Sequence, residues 1–502
     1  MAGCAWTRLY GWANLARSAN LPTHILLIPL NPKEPWKTGF REGPGMIKLA
    51  PFSIRGNMQQ SNLALTVEEG LAELPILDVH THLDASHLAA RGLHDILLYH
   101  MVISDLSSAG CPSRARLSEA PGPAEAEQRL VEAIPYLPHI QNTSIFWGVR
   151  MILRDLYGWT EPITLQNWRR LDGAIRERSG DPAWPLELMR RGRVQRACTE
   201  LWRGRGGLAD DLLQYSLEWA FFSRSQWGVY DIALFELENA WNQPEPGEPL
   251  PVTMAGGRPA LARTLRTLAD VHEALDDYVA RIPYDRVLST AQHLSTDISY
   301  REVSEAEMAG ALLRRDQAGP LERDIYASYI LEGFLSRLEK YARQIVYQFS
   351  FGAEPLPFET GSKLKQDTLF QLAEILARHP ELRFQAFLSS EHANQALCTI
   401  VRELPNCSLA GYWWHNFFPG VVRKVIADRL DMLAANRQIG FFSDAYCLDW
   451  QYAKVLLVRK QLARVLAEKI DQGQYTLAAS LEIARQILYE SPQALLGMSP
   501  MK

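Results

Sequence analysis

The sequence predicts an α/β protein, a distorted (β/α)8 TIM barrel with a large helical insertion after the first strand. Three observations carry that prediction. Short apolar runs alternate with longer amphipathic stretches, the pattern of a parallel sheet with crossover helices. One long block, from about residue 84 to about 190, holds helical patterns and almost no strand signal. An Asp-x-His-x-His motif, Asp78 to His82, ends the first apolar run, and a lone carboxylate, Asp444, ends the last. Closure of a barrel makes its first and last strands neighbours.

The elements follow in chain order. Residues 1–57 read as an irregular leading segment with seven basic residues, Pro and Gly in its second half, and no lasting periodicity. Met46 and Met58 both stand as alternative starts, and a regular pattern begins only near Leu63. Residues 58–502 are expected to form the barrel. Its first strand is the run Ile76 to His80, bounded by Pro75. Later strand-like runs are 286–289, 345–349, 383–388, 408–413 and 439–443. They are brief and without alternation, as strands buried on both faces are. Lys365 to His379 and His392 to Glu403 carry apolar residues at helical spacing. The stretch 238–262, rich in Pro and Gly, reads as a surface loop.

Composition bounds the function. The chain has 502 residues, 47% hydrophobic and 22% charged, enough to bury a large core without staples. A formal net charge of −5 argues against a general nucleic-acid binder. No apolar run approaches the roughly 20 residues of a membrane span. The six cysteines are sparse and lack Cys-x-x-Cys spacing, which suits free thiols in the cytoplasm.

The chemistry sits at the strand ends. Residues two apart on a strand share a face, so His80 and His82 can hold one metal ion together. Asp78 shares that face and is positioned to orient an imidazole. Two histidines merely satisfied at a strand end are the competing reading. Asp444 follows Phe441-Phe442-Ser443 and suits a ligand or a base, although an aspartate after a strand is more often a helix cap. Its value comes from pairing with the histidine motif.

Asp-x-His-x-His after the first strand, with Asp after the last, resembles the signature of the amidohydrolase superfamily. Within it the sequence is similar to the uronate isomerases, also called glucuronate isomerases. The long helical insertion, the stretch Gly411-Tyr412-Trp413-Trp414-His415-Asn416, and its spacing to Ser443-Asp444-Ala445-Tyr446 carry the resemblance, which covers about residues 70–500. It implies an aldose–ketose isomerase of hexuronic acids, with D-glucuronate or D-galacturonate as substrate. It further implies one divalent metal, zinc, on His80, His82 and Asp444, with Asp444 also carrying a proton between C2 and C1. The partner so implied is a small sugar acid, with neither nucleic acid nor membrane, and a homo-oligomer is compatible with it.

The family pattern is not matched throughout. Tyr446 stands where the family has an arginine that polarises the carbonyl, and Ser350 where it has a fifth-strand histidine. Tyr99-His100-Met101 meets the family's Asp-His-Tyr segment, which makes His100 a substrate-binding candidate. His293 meets an Asp-His-Gly histidine and is a catalytic candidate with Tyr446. Arg150, in the insertion, is the cation expected for the substrate carboxylate, with Arg154 close by in sequence. His415 is placed near the mouth, and it and Trp414 are substrate-binding candidates, although Trp413 and Trp414 are more often core than a sugar platform; His392 either reaches the site or, as the plainer reading, starts a helix. The arginines at 190, 191, 193, 196, 203 and 205 read as a solvated face with acidic neighbours, with binding of an anionic ligand or a partner as the competing reading. Metal-dependent hydrolysis of a sugar-acid-like molecule is the second function expected, and a divergent relative that keeps only the fold is the third.

Overall fold

The computed structural model describes residues 54–112, 123–204, 212–217, 229–243, 261–355, 360–413 and 417–498. Most of the expected leading segment, and the candidates Trp414 and His415, lie outside the described residues. Residues 54–57 begin a helix, Ile54–Ala72, which buries Val67 and Leu71 against the C-terminal helix Leu448–Asp471.

Eight strands form one curled, wholly parallel sheet. They are β1 (Ile76–Asp78), β2 (Val194–Glu200), β3 (Leu213–Leu217), β4 (Val287–His293), β5 (Val346–Phe351), β8 (Arg383–Leu388), β9 (Cys407–Ala410) and β10 (Gln438–Ile439), hydrogen bonded in that order. After β5 a short antiparallel hairpin, β6 (Ala353–Pro355) and β7 (Thr360–Ser362), rises from the sheet end. Six of the eight sheet strands coincide with the expected apolar runs. β2 and β3 do not, because Val-Gln-Arg-Ala-Cys-Thr-Glu and Leu-Gln-Tyr-Ser-Leu interleave polar residues with apolar ones. The reason lies inside the sheet, where polar and apolar side chains share the interior. Phe387, Trp413 and Phe442 pack with Leu77, Val79 and Val346 there. On the same strands Gln348 Nε2 donates to Gln385 Oε1 at 3.0 Å.

The distortion of the barrel has a definite place. β10 and β1 share no ladder. A π-helical turn, Gln486–Glu490, packs against both and takes the Gly440 N–H on the Ile487 carbonyl at 2.7 Å. β10 therefore stops at Ile439, short of the expected end at 443. The approach at 440 is close: a Cβ there would stand 3.1 Å from Ile487 Cγ1. Above this plug the backbone closes by other means. The Asp444 N–H donates to the His80 carbonyl at 3.0 Å, and the His82 N–H to the Ala445 carbonyl at 2.9 Å.

Among the described residues between β1 and β2 the regular elements are helices, including His100–Ser108, Ser144–Tyr157 and Trp184–Gly192. Ser144–Tyr157 starts on the Thr143 hydroxyl, which accepts from the Phe146 N–H at 3.2 Å, and ends at Gly158 in the left-handed region (φ 66°). It packs on the C-terminal helix. The expected loop 238–262 is corrected at its start, because the helix Ile232–Asn242 runs through it with Glu238 and Asn239 buried.

Candidate metal centre

β1 ends at Asp78, and the chain then runs extended over the sheet end. The Asp78 carboxylate accepts from the Ser443 N–H at 2.9 Å and from Gln451 Nε2 at 2.8 Å. It ties the last strand and the C-terminal helix to the first strand, and this replaces the expected contact with an imidazole. Burial pushes its pKa up to about 6, against the hydrogen bonds from Ser443, Gln451 and His80 that lower it.

His80, His82 and Asp444 meet above this staple. Asp444 Oδ1 lies 3.4 Å from His80 Nε2 and 3.3 Å from His82 Nε2. All three ligand atoms fall within 4.8 Å of one another, the one such cluster among the described residues. Around an ion with bonds of about 2.1 Å, tetrahedral ligand atoms stand about 3.4 Å apart. Two imidazole nitrogens and a carboxylate oxygen at these separations fit one divalent ion.

Asp444 is held in the left-handed region at φ 53°. Such a conformation is uncommon outside glycine and survives where the surroundings fix it. Here they do. Its N–H is on His80, and its carbonyl accepts from the Tyr99 hydroxyl at 3.0 Å. Lys454 Nζ in turn donates to Tyr99 Oη at 2.7 Å and to the Ser443 carbonyl at 2.5 Å. Burial pulls Lys454 down to about 8, with Asp444 opposing. Burial would raise Asp444, but hydrogen bonds from His80 and His82 hold it well below the usual carboxylate range.

Around the triad, Tyr446 stacks on His82 with ring centroids 4.9 Å apart and planes 22° from parallel. His100 meets Tyr446 edge-on at 5.7 Å. On the β2 side, Glu200 Oε1 lies 2.5 Å from His82 Nδ1, and Arg203 Nε lies 2.9 Å from Glu200 Oε2. Burial works against charge here too. Even so, His82 drives Glu200 down to about 2, and Glu200 and Asp444 raise His82 to about 10. His293, at the end of β4, has Nδ1 3.2 Å from Ser350 Oγ and Nε2 3.4 Å from Glu354 Oε1 on the hairpin. Its ring also faces buried Trp413 at 6.2 Å.

The structure thus brings His80, His82, Asp444, Tyr446 and His100 together, and sets His293 on the same sheet end. Arg150 is not brought to the triad; it is exposed on its helix while Ile145 and Gly148 face inward. Arg154 is exposed as well, on Asp155. His392 is exposed and bonds Ser390. The arginine series is corrected in part. Arg190 and Arg191 do lie on the surface with Glu187, but Arg203 is only 8% exposed and reaches the site. Sequence reading missed Glu200, Lys454 and Glu354, and it named Tyr99 and Arg203 without placing either at the site. Lys454 left a trace, being a cation on the same helical stripe as Trp450, Leu457 and Val458.

No family model and no curated protein sequence matches the chain. Solved structures do. A uronate isomerase from Thermotoga maritima superposes with a TM-score of 0.68 at 14% identity, over 87% of this chain and 97% of its own. A glucuronate isomerase from Caulobacter crescentus gives 0.69 at 15%, over 88% and 95%. A uronate isomerase from Bacillus halodurans gives 0.62 at 16%, over 88% and 97%. The fold is that of the uronate isomerases. No helix among the described residues is long and apolar enough to cross a membrane.

Proposed function

We propose that this chain is a metal-dependent enzyme of sugar acids, a uronate isomerase-like aldose–ketose isomerase. Its substrates would be D-glucuronate or D-galacturonate and the corresponding ketoses. The observation that carries the reading is the meeting of His80, His82 and Asp444 at the mouth of a barrel with the uronate isomerase fold.

His80, His82 and Asp444 would hold one divalent ion, and two imidazoles with one carboxylate suit zinc. When bound, the ion supplies Lewis-acid stabilisation of the charge that develops on the substrate oxygens. Asp444 carries the proton. Its lowered pKa keeps the carboxylate ionised. It takes the proton from C2 of the aldose and returns it to C1 through a cis-enediol, while the hydroxyl proton passes from O2 to O1. The fixed backbone of Asp444 keeps that carboxylate in one position during both transfers. Tyr446, stacked on His82, offers a phenol to a substrate oxygen, and His100 stands beside it. Lys454 and Arg203 bring positive charge close behind the site, which favours an anionic substrate. The five described cysteines are all free and buried, which supports a reducing, cytoplasmic setting.

The test is metal analysis of purified protein, then assay with both uronates. Ketose formation that disappears in Asp444→Asn supports the reading. Failure of metal-loaded protein to convert either uronate removes it. Tyr446 favours one second reading, hydrolysis of a sugar-acid ester or lactone, because a phenol without formal charge also suits a tetrahedral oxyanion. Release of a uronic acid from such a compound, with free uronates left unchanged, would select it.

A further inference from the structure

We infer that Glu200 and Arg203, at the end of β2, complete the metal centre from behind: Glu200 fixes His82 so that Nε2 faces the ion, and Arg203 holds Glu200 in place. This rests on the metal-binding part of the function proposed above and not on the choice of substrate.

A carboxylate only accepts hydrogen bonds, so Glu200 Oε1 at 2.5 Å requires the proton of His82 on Nδ1. A metal-binding imidazole is neutral, so with an ion bound the lone pair falls on Nε2. Nε2 is the atom that lies 3.3 Å from Asp444 Oδ1, inside the ligand cluster. The second oxygen of Glu200 forms an ion pair with Arg203, with Nε at 2.9 Å, and also lies 3.3 Å from the Thr199 hydroxyl. The guanidinium lies over the Trp202 ring at 4.3 Å and toward Tyr446 at 5.8 Å, so it is stacked in place.

A purely structural ion pair is the competing explanation, and the backbone answers it. The loop carrying His82 is already laced to the end of β2. The Thr81 N–H and hydroxyl both donate to the Cys198 carbonyl at 2.8 Å. The Thr199 hydroxyl donates to the Leu83 carbonyl at 2.7 Å, and the Ala85 N–H to the Arg203 carbonyl at 2.9 Å. Those bonds position the loop without any charge. Burying a carboxylate and a guanidinium costs several kcal/mol in desolvation. An apolar pair would pack the same space, whereas an imidazole aimed at a cation needs the carboxylate. A carboxylate on the far nitrogen raises the basicity of a metal-binding imidazole and fixes its ring. Its loss typically lowers metal affinity about 10–100-fold.

The experiment uses the full chain, with Zn2+ affinity from chelator competition and the visible spectrum of the Co2+ form. Glu200→Gln is expected to weaken Zn2+ binding about 10–100-fold and to shift the Co2+ bands, with the circular dichroism unchanged. A spectral shift reports the ligand field, which a merely structural role would leave alone. If Glu200→Gln does not fold, Arg203→Gln decides, with a loss of several-fold expected. Wild-type affinity and an unshifted spectrum in the folded variant overturn the inference. A wild-type chain that takes up no Zn2+ overturns both the inference and the metal centre. Weakened Zn2+ binding in the variant, with neither uronate converted by the wild type, supports the inference and removes only the isomerase reading.

Discussion

The main-chain N–H of Asp444 is bonded to the carbonyl of His80, and the side chains of the same two residues converge at 3.4 Å. One contact therefore closes the barrel seam and builds the centre. Disturbing either residue acts on both, so informative variants must leave the backbone contact intact.

Asp444→Asn meets that condition. Asparagine tolerates the left-handed region nearly as well as aspartate. The variant is expected to fold, to bind metal more weakly, and to lose about 10²–10⁴-fold in uronate turnover. Circular dichroism, metal content and a ketose assay check the three parts. Turnover within threefold of wild type would exclude Asp444 as the proton carrier.

Lys454→Met keeps the length of the side chain and removes the ammonium. The Ser443 carbonyl and the Tyr99 hydroxyl each lose a partner. The Tyr99 hydroxyl keeps the Asp444 carbonyl, and the loss at the buried Ser443 carbonyl costs about 1–3 kcal/mol. Urea unfolding should show a loss in that range. Turnover should also fall, because the anchors on the backbone of Asp444 loosen.

Gly411→Ala tests the close approach beside the last strand. Gly411 has φ 44°, and an added Cβ would stand 2.2 Å from Phe442 Cδ1. The ring of Phe442 packs between Phe387 and His80. Overpacking of this kind costs about 1–3 kcal/mol, with backbone strain added. A thermal midpoint equal to that of the wild type would contradict the packing described.

His379 gives a pH dependence away from the site. It lies between Glu332 and Glu339, with its two ring nitrogens each 3.0 Å from a carboxylate. Burial opposes its charge, but the two carboxylates raise its pKa above 6.5. The folded state therefore favours the protonated ring. That stabilisation is fully present below pH 6.5 and is lost as the pH rises through the folded pKa. The stability difference between wild type and His379→Gln should be larger at pH 6 than at pH 9. Urea unfolding at the two pH values measures it, and a constant difference would show that the ion pairs carry no such linkage.

The barrel and the triad were legible because both rest on strong local signals. Runs such as Phe384 to Leu388 are apolar on both faces, and a His-x-His spacing points two imidazoles one way. β2 was not legible, because its polar side chains are satisfied by residues remote in sequence. Arg203 looked like one more member of a basic face. Only the fold brings Glu200 beside it and His82 beyond that. Arg150 came out on the surface of its helix. Its position in the insertion suggested a substrate cation, but the helix turns its apolar stripe inward and leaves the arginine outside. The end of β10 was overrun for a similar reason, since nothing local announces that Ile487 will take the Gly440 N–H.

The plugged seam also sets an order of events during synthesis. Asp78 and the two histidines leave the ribosome early, yet their partners Ser443, Asp444 and Gln451 come near the other end of the chain. The turn that fills the seam, Gln486–Glu490, comes later still. Until those residues emerge, the helices after β1 can pack among themselves while the first strand has an open edge. The centre thus cannot be completed until the chain has passed residue 444, and a nascent chain halted before residue 440 would hold its histidines without the carboxylate they face.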